Sequence, residues 1–194
     1  MKRILGGLAG LVFPATAFAH TGAGASYGMS QGFLHPVSGM DHVLAMVAVG
    51  FFAYVLGGRA LWLVPAVFVA MLSAGGFLGM SGFELPFVEA AIGLSVIVIG
   101  MAAAIGQKMP VAAAMALVGG FAIFHGFAHG AEMPQNASGF SYGIGFMLAT
   151  ALLHAAGIAA CFTSARVMGR QSFWAARVGG GAAALAGVAI MGAA

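Results

Sequence analysis

The sequence predicts an all-α fold: a polytopic membrane helical bundle with six transmembrane helices after a cleaved signal peptide. Of the 194 residues, 62% are hydrophobic and only 6% are charged, whereas soluble domains carry about 25% charged residues. Six apolar segments follow one another, most of them close to the roughly 20 residues that cross a bilayer. A chain in lipid must satisfy its own backbone hydrogen bonds, so these segments are expected to be helices.

The N-terminus has the pattern of a secretory signal peptide. Two basic residues precede an apolar run at residues 4–13, and an A-x-A tripeptide stands directly before His20. The apolar run is much shorter than the roughly 20 residues of a membrane span. We therefore predict a signal peptide at residues 1–19 and a mature chain, residues 20–194, that forms a single transmembrane domain.

The basic residues predict the orientation of the spans. The predicted spans cover residues 35–57, 60–80, 87–105, 111–131, 142–165 and 174–193. After cleavage the mature N-terminus lies outside, so the inner connections follow the first, third and fifth spans. All basic residues of the mature chain lie in or beside these connections: Arg59, Lys108, Arg166, Arg170 and Arg177. This agrees with the positive-inside rule and predicts a bacterial inner-membrane protein with both mature termini in the periplasm.

Composition also excludes several classes of partner and activity. The net charge of +3 forms no basic patch with interleaved aromatic residues, so the lipid bilayer is an expected partner and nucleic acid is not. The single cysteine, Cys161, excludes an internal disulfide and any metal site built on paired cysteines. No GxxxxGK[ST] motif is present, so the chain is not expected to hydrolyse ATP. We expect no bound organic cofactor.

The histidines and acidic residues are predicted to lie from the membrane midplane outward. Ionisable groups inside a bilayer are costly and usually mark a functional site. The candidates are His35, Asp41 and His42 in the first span, Glu89 in the third, His125, His129 and Glu132 at the end of the fourth, and His154 in the fifth. Glu84, in an outer loop, is expected to be a solvated charge. Imidazoles with carboxylates are typical ligands of divalent transition metals such as nickel, cobalt or zinc.

The spacing of the later candidates favours a shared metal site. His125 and His129 are four residues apart and should face the same way on a helix. Glu132 follows three residues after His129, which again places neighbours on one face. This is the best local ligand geometry in the sequence. His154 lies roughly 18 Å along its helix from Tyr142, close to the midplane, where a ligand role and a plain hydrogen-bonding role are both open.

The first-span motif has a less simple spacing. His35 and His42 are separated by about 10.5 Å along a regular helix, too far to bind one ion directly. Either the helix breaks at Pro36 and Gly39 so that the segment folds back, or His35 belongs to a separate outer site. A proline directly after His35 suits a helix start. We therefore expect a separate outer His35, followed by a deeper Asp41–His42 pair.

These motifs resemble a known family. The segment HPVSGMDH at residues 35–42 is similar to the HPxxGxDH signature of the HupE/UreJ family of hydrogenase and urease accessory nickel permeases. FHGFAHGAE at residues 124–132, the span with Glu89 and the signal peptide are similar too. The resemblance implies an inner-membrane carrier of nickel or cobalt that serves nickel-enzyme maturation proteins. It also implies transport roles for the residues that match the family's motifs: His35, Asp41, His42, His125 and His129.

The residues alone leave the metal and two other functions open. They indicate a divalent transition metal, and nickel as Ni²⁺ comes from the resemblance. A haem-binding electron carrier would use histidines of different helices as axial ligands. A membrane-embedded metalloenzyme would need three protein ligands, an open coordination position and an acid–base group such as Glu89 or Glu132. A permease, which is not an enzyme, is the expectation.

Overall fold

The computed structural model describes residues 24–133, 138–169 and 173–193, which are helical apart from short connections. The helices are α1 Gly24–Ser38, α2 Met40–Leu56, α3 Ala60–Met80, α4 Val88–Ile105, α5 Val111–Ala131, α6 Gly139–Met168 and α7 Phe173–Ala193. The predicted signal peptide and His20 lie outside the described residues. Within the described part of the chain, the all-α prediction is confirmed.

The apolar helices match most of the predicted spans. The helices α3 and α5 have the predicted bounds, and α4 and α7 differ from them by one residue. Helix α6 has 30 residues, more than predicted, and is about 45 Å long. Among the described residues, five helices are long and apolar enough to cross a membrane, and α1 with α2 forms a sixth, bent candidate. The protein is therefore a multi-pass membrane protein.

The first predicted span, residues 35–57, is not one continuous helix. Helices α1 and α2 meet at Gly39 with a bend of 83°. Gly39 has an extended backbone, with φ of −95° and ψ of 121°, and Pro36 lies inside α1 instead of starting the span. The expectation of a regular helix through this motif is wrong. Glycine has a low helix propensity, so a break at Gly39 costs little.

Helix α2 lies at the centre of the bundle and contacts each of the other described helices. Its large side chains Met46, Val49 and Phe52 are fully buried and form much of the apolar core. Gly50 lets α6 approach closely, because a Cβ there would overlap the carbonyl oxygen of His154. The core thus fixes the position of α6 against α2 at the depth of His154.

Glycines on both α3 and α5 bring these two helices into backbone contact. A Cβ at Gly75 or Gly79 would overlap the backbone of α5, and a Cβ at Gly126 or Gly130 would overlap that of α3. Small residues at four-residue spacing allow such close packing in lipid. Because α5 carries His125 and His129, the contact fixes the face on which these imidazoles lie.

Helix α1 is docked along the N-terminal part of α6 in the same way. A Cβ at Gly32 would overlap the carbonyl oxygen of Tyr142, and a Cβ at Gly145 would overlap that of Met29. The bend at Gly39 and this docking together place the C-terminal end of α1, with His35, against the C-terminal end of α5.

Candidate metal centre

Four imidazoles lie in a row between α1, α2 and α5. The ring of His129 stands between two others, with centroids 4.7 Å from His35 and 4.3 Å from His42. The ring of His42 in turn lies 4.9 Å from that of His125. The order along the row is therefore His35, His129, His42, His125, which differs from the order along the chain.

The outer end of the row joins two imidazoles and a carboxylate. His35 Nε2 lies 3.3 Å from Glu132 Oε2, and ligand atoms of His35, His129 and Glu132 all lie within 4.8 Å of one another. Glu132 follows the last turn of α5, where a helix dipole disfavours a carboxylate. Helix stability therefore does not explain why an acidic residue stands at this position. The donor set suits a divalent transition metal.

The Asp41 carboxylate sets the tautomer of neutral His42. Asp41 Oδ1 accepts the backbone N–H of His42 and lies 2.8 Å from His42 Nδ1. A carboxylate only accepts, so Nδ1 carries the proton and Nε2 keeps its lone pair. His42 Nε2 is buried and has no hydrogen-bond partner among the described residues. Such a carboxylate–histidine pair is typical of a metal ligand and its supporting group.

His125 is oriented by a serine on α4. Ser95 Oγ donates its hydrogen to the carbonyl oxygen of Ile92 at 2.6 Å, and it lies 2.8 Å from His125 Nε2. Since the hydroxyl hydrogen is already used, Nε2 donates to Ser95 Oγ and the lone pair is on Nδ1. His125 Nδ1 is buried without a partner in the described part of the chain. Two neighbouring histidines thus each present an unprotonated nitrogen.

The two ends of the row differ in burial, and His42 within it has a side chain that is 12% exposed. The side chain of His35 is 35% exposed, His129 is 3% exposed and His125 is fully buried. Both ring nitrogens of His129 lack hydrogen-bond partners among the described residues. Unpartnered polar atoms are rare in buried positions because each costs free energy. Their concentration among the described residues makes this region the candidate ligand site.

Two other predicted residues lie away from this row. His154 is buried below it, and its ring contacts Phe68 at a centroid distance of 5.0 Å. Glu89 is exposed in the first turn of α4, where a carboxylate interacts favourably with the helix dipole. Its role as a metal ligand stays a prediction. Glu84 is exposed in the loop between α3 and α4, as expected for a solvated charge.

The expectation of a separate outer site at His35 stays a prediction, since the group of candidate ligand atoms around His35 includes His129 and Glu132 but not His42. Because α1 and α2 are bent at Gly39, the rings of His35 and His42 both contact the ring of His129. The distance along a regular helix does not apply to a broken one. His35 belongs to the same row as the Asp41–His42 pair and forms its exposed end.

Three residues of this region were not singled out from the sequence. Ser95 orients His125, Phe68 lies against the rings of both His125 and His154, and Phe146 packs on His129 at a centroid distance of 4.0 Å. Tyr142, Phe146, Thr150 and His154 recur every four residues on α6. That spacing is visible in the sequence and marks one helix face. Ser95 and Phe68 carry no comparable signal.

Gly39→Ala is expected to weaken metal binding while leaving folding almost unchanged. A Cβ at Gly39 would lie 2.9 Å from Asp41 Oδ1 and 3.1 Å from His42 Nδ1, so these side chains must move. Both atoms are at the ends of side chains, so moving them costs little folding free energy. We expect the affinity of the purified protein for Ni²⁺ to fall roughly tenfold, as for a lost supporting contact of a metal ligand. An unfolding temperature well below that of the wild type would instead indicate a purely structural role for Gly39.

Comparisons with known proteins identify the family of this chain. A family model described as "HupE / UreJ protein" matches residues 8–190. "Protein HupE" from Rhizobium leguminosarum bv. viciae is 47% identical over 184 residues, which cover 95% of this chain and 94% of that protein. No solved structure matches the chain. The chain belongs to the HupE/UreJ family.

Proposed function

We propose that this protein is a nickel permease of the bacterial inner membrane, with both mature termini in the periplasm. It imports Ni²⁺ for the maturation of nickel enzymes and catalyses no reaction itself. The observation that carries the proposal is the row of contacting imidazoles, which leads from half-exposed His35 to fully buried His125. Membership of the HupE/UreJ family supports the metal and the physiological role.

The row offers imidazole nitrogens and carboxylates to a divalent cation that loses its water ligands. A bare divalent charge is very costly in an apolar interior unless it is paired and coordinated. The free lone pairs of His42 Nε2 and His125 Nδ1 replace water ligands as the ion loses its shell. The carboxylates of Glu132 and Asp41 lie at the outer end and beside the middle of the row. They compensate the positive charge of the ion.

The donor set restricts the metal to a small group. Imidazole suits nickel, copper, zinc and iron, whereas calcium and magnesium prefer sites built wholly from oxygen. Nickel is proposed because of the family, with cobalt as the second candidate and zinc as a competitor. The sequence carries no nucleotide-binding motif, so we propose a facilitator or secondary carrier. His35, His129 and Glu132 form its capture site.

Uptake of radioactive nickel into cells expressing the full chain tests the proposal. Cells with the protein should accumulate more nickel than vector controls, and excess cobalt should compete more strongly than excess magnesium. Immunoblots of the membrane fraction establish that the protein is present. Accumulation equal to the vector control, with the protein in the membrane, would exclude a permease for this metal.

A matched pair of variants relates that uptake to the proposed site. Glu132→Gln removes a carboxylate that contacts His35, and Glu84→Gln removes an exposed one from the outer loop. Uptake should fall roughly tenfold in the first variant and stay at the wild-type level in the second. Equal losses in both would point to a general effect of negative charge on the outer surface.

A further inference from the structure

We infer that a second, inner metal site lies at His154 and Thr150 on α6, separated from the outer histidines by the ring of Phe68. The inference rests on the proposed transport function and extends it to the next step of the path. The row ends at His125, which is fully buried and lies six residues before the end of α5 at Ala131. An ion that crosses the membrane needs a further stabilising position below it.

His154 is a buried polar side chain on α6. It is 1% exposed, and neither Nδ1 nor Nε2 has a partner among the described residues. An imidazole always carries at least one N–H, so a buried ring without partners leaves both a donor and an acceptor unsatisfied. Buried polar groups are normally hydrogen-bonded, and exceptions often have a functional reason. A ligand that supplies these contacts is the simplest reason here.

Thr150 offers a second free polar atom on the same face of α6. It precedes His154 by four residues and is fully buried, and its Oγ1 has no partner in the described part of the chain. Serine and threonine within helices often bond to the carbonyl oxygen four residues earlier. Ser73 and Ser164 do so in this protein, at 2.9 Å and 2.8 Å. Thr150 does not make this hydrogen bond, so its hydroxyl is available to a metal ion or to a water molecule bound to the ion.

Phe68 separates this inner position from the outer row. Its side chain is fully buried, and its ring centroid lies 5.8 Å from that of His125 and 5.0 Å from that of His154. A phenyl ring provides no ligand atom for a transition metal. An ion that passes from His125 to His154 therefore has to move past this ring, and the two sites are distinct.

One face of α6 connects the outer and inner positions. Tyr142 lies near His35, with ring centroids 6.2 Å apart, and Phe146 contacts His129. Thr150 and His154 continue the same four-residue spacing inward. The stripe from Tyr142 to His154 is about 18 Å long, which covers the outer half of a hydrocarbon core of about 30 Å.

Nickel binding and thermal unfolding of the purified full chain in detergent test the inner site. His154→Leu removes the imidazole, and Thr150→Val removes the hydroxyl with little change of shape. Thr163→Val is the matched control, because Thr163 is an exposed threonine on the same helix. Equilibrium dialysis with radioactive Ni²⁺ counts the bound ions, and unfolding temperatures are measured with and without NiCl₂.

A binding site and a structural histidine give opposite results. For a binding site, His154→Leu without metal should unfold at or above the wild-type temperature, because an unsatisfied polar group becomes apolar. It should bind one nickel ion fewer than the wild type and lose at least roughly 90% of uptake. Thr150→Val should reduce uptake and weaken nickel binding without lowering the unfolding temperature, and Thr163→Val should match the wild type.

The failure of this inference differs from the failure of the transport proposal. If His154→Leu and Thr150→Val bind and transport nickel like the wild type, the inner site is wrong and the permease stands. A lower unfolding temperature of metal-free His154→Leu with an unchanged number of bound ions would identify a structural histidine. A wild-type protein that neither binds nor transports nickel would overturn both.

Discussion

Nickel uptake by the double variant Asp41→Asn/His42→Ala is expected to fall to background, a loss of at least roughly 100-fold. His42 stands between His129 and His125, so its loss interrupts the row of imidazoles. Asp41 holds the proton on His42 Nδ1 and also supplies negative charge near the path. Removing both leaves the buried His125 without a contacting imidazole from the outer side.

The single variant Asp41→Asn separates these two contributions. Asparagine keeps the shape and its carbonyl oxygen still accepts a hydrogen bond from Nδ1, but the charge is lost. We expect a smaller reduction of uptake, roughly tenfold. Radioactive nickel uptake measures both variants, with the exposed-loop variant Glu84→Gln as control. Uptake by the double variant at the wild-type level would refute the assignment of this pair to the path.

Gly126→Ala is expected to be the most destabilising small substitution in the bundle. The added Cβ would overlap the carbonyl oxygen of Leu72, which belongs to the backbone of α3 and cannot move aside without shifting the helix. Overpacking of well-packed positions typically costs about 1–3 kcal/mol, and a backbone contact places this position at the upper end. We expect a clearly lower unfolding temperature and a poor yield of monodisperse protein.

Gly120→Ala is the matched control on the same helix. Gly120 is exposed, and a Cβ there meets no atom within 4 Å. Alanine is a better helix former than glycine by up to about 1 kcal/mol, so this variant should unfold at or slightly above the wild-type temperature. Similar stability of the Gly126 and Gly120 variants would mean that α3 and α5 are not in close backbone contact.

The two glycine substitutions should also differ in their effect on nickel binding. Separation of α3 from α5 would displace Phe68 relative to His125, because these residues lie on the two helices. Nickel binding by any folded Gly126→Ala protein should therefore be weaker than in the wild type. The control leaves both helices in place and should bind normally.

The sequence by itself determined the class of protein and most of its helices. Low charge and long apolar runs allow only a membrane-embedded chain, and backbone hydrogen bonding in lipid allows only helices for such runs. These local constraints act within single segments, so the bounds of α3 and α5 could be predicted without any tertiary contact. The candidate ligands were recognisable for the same reason, because an ionisable side chain in an apolar run is costly wherever the run packs.

The tertiary structure alone decided how these residues are grouped. Gly39 and Pro36 indicate a possible break, but the 83° bend and its direction depend on the docking of α1 against α6. His35 and Glu132 are 97 residues apart, and Ser95 and His125 are 30 apart. Contacts of this kind arise from close packing of glycine faces on different helices. No periodicity within one segment encodes these contacts, so the sequence identified the candidate ligands and helix packing set their order along the row.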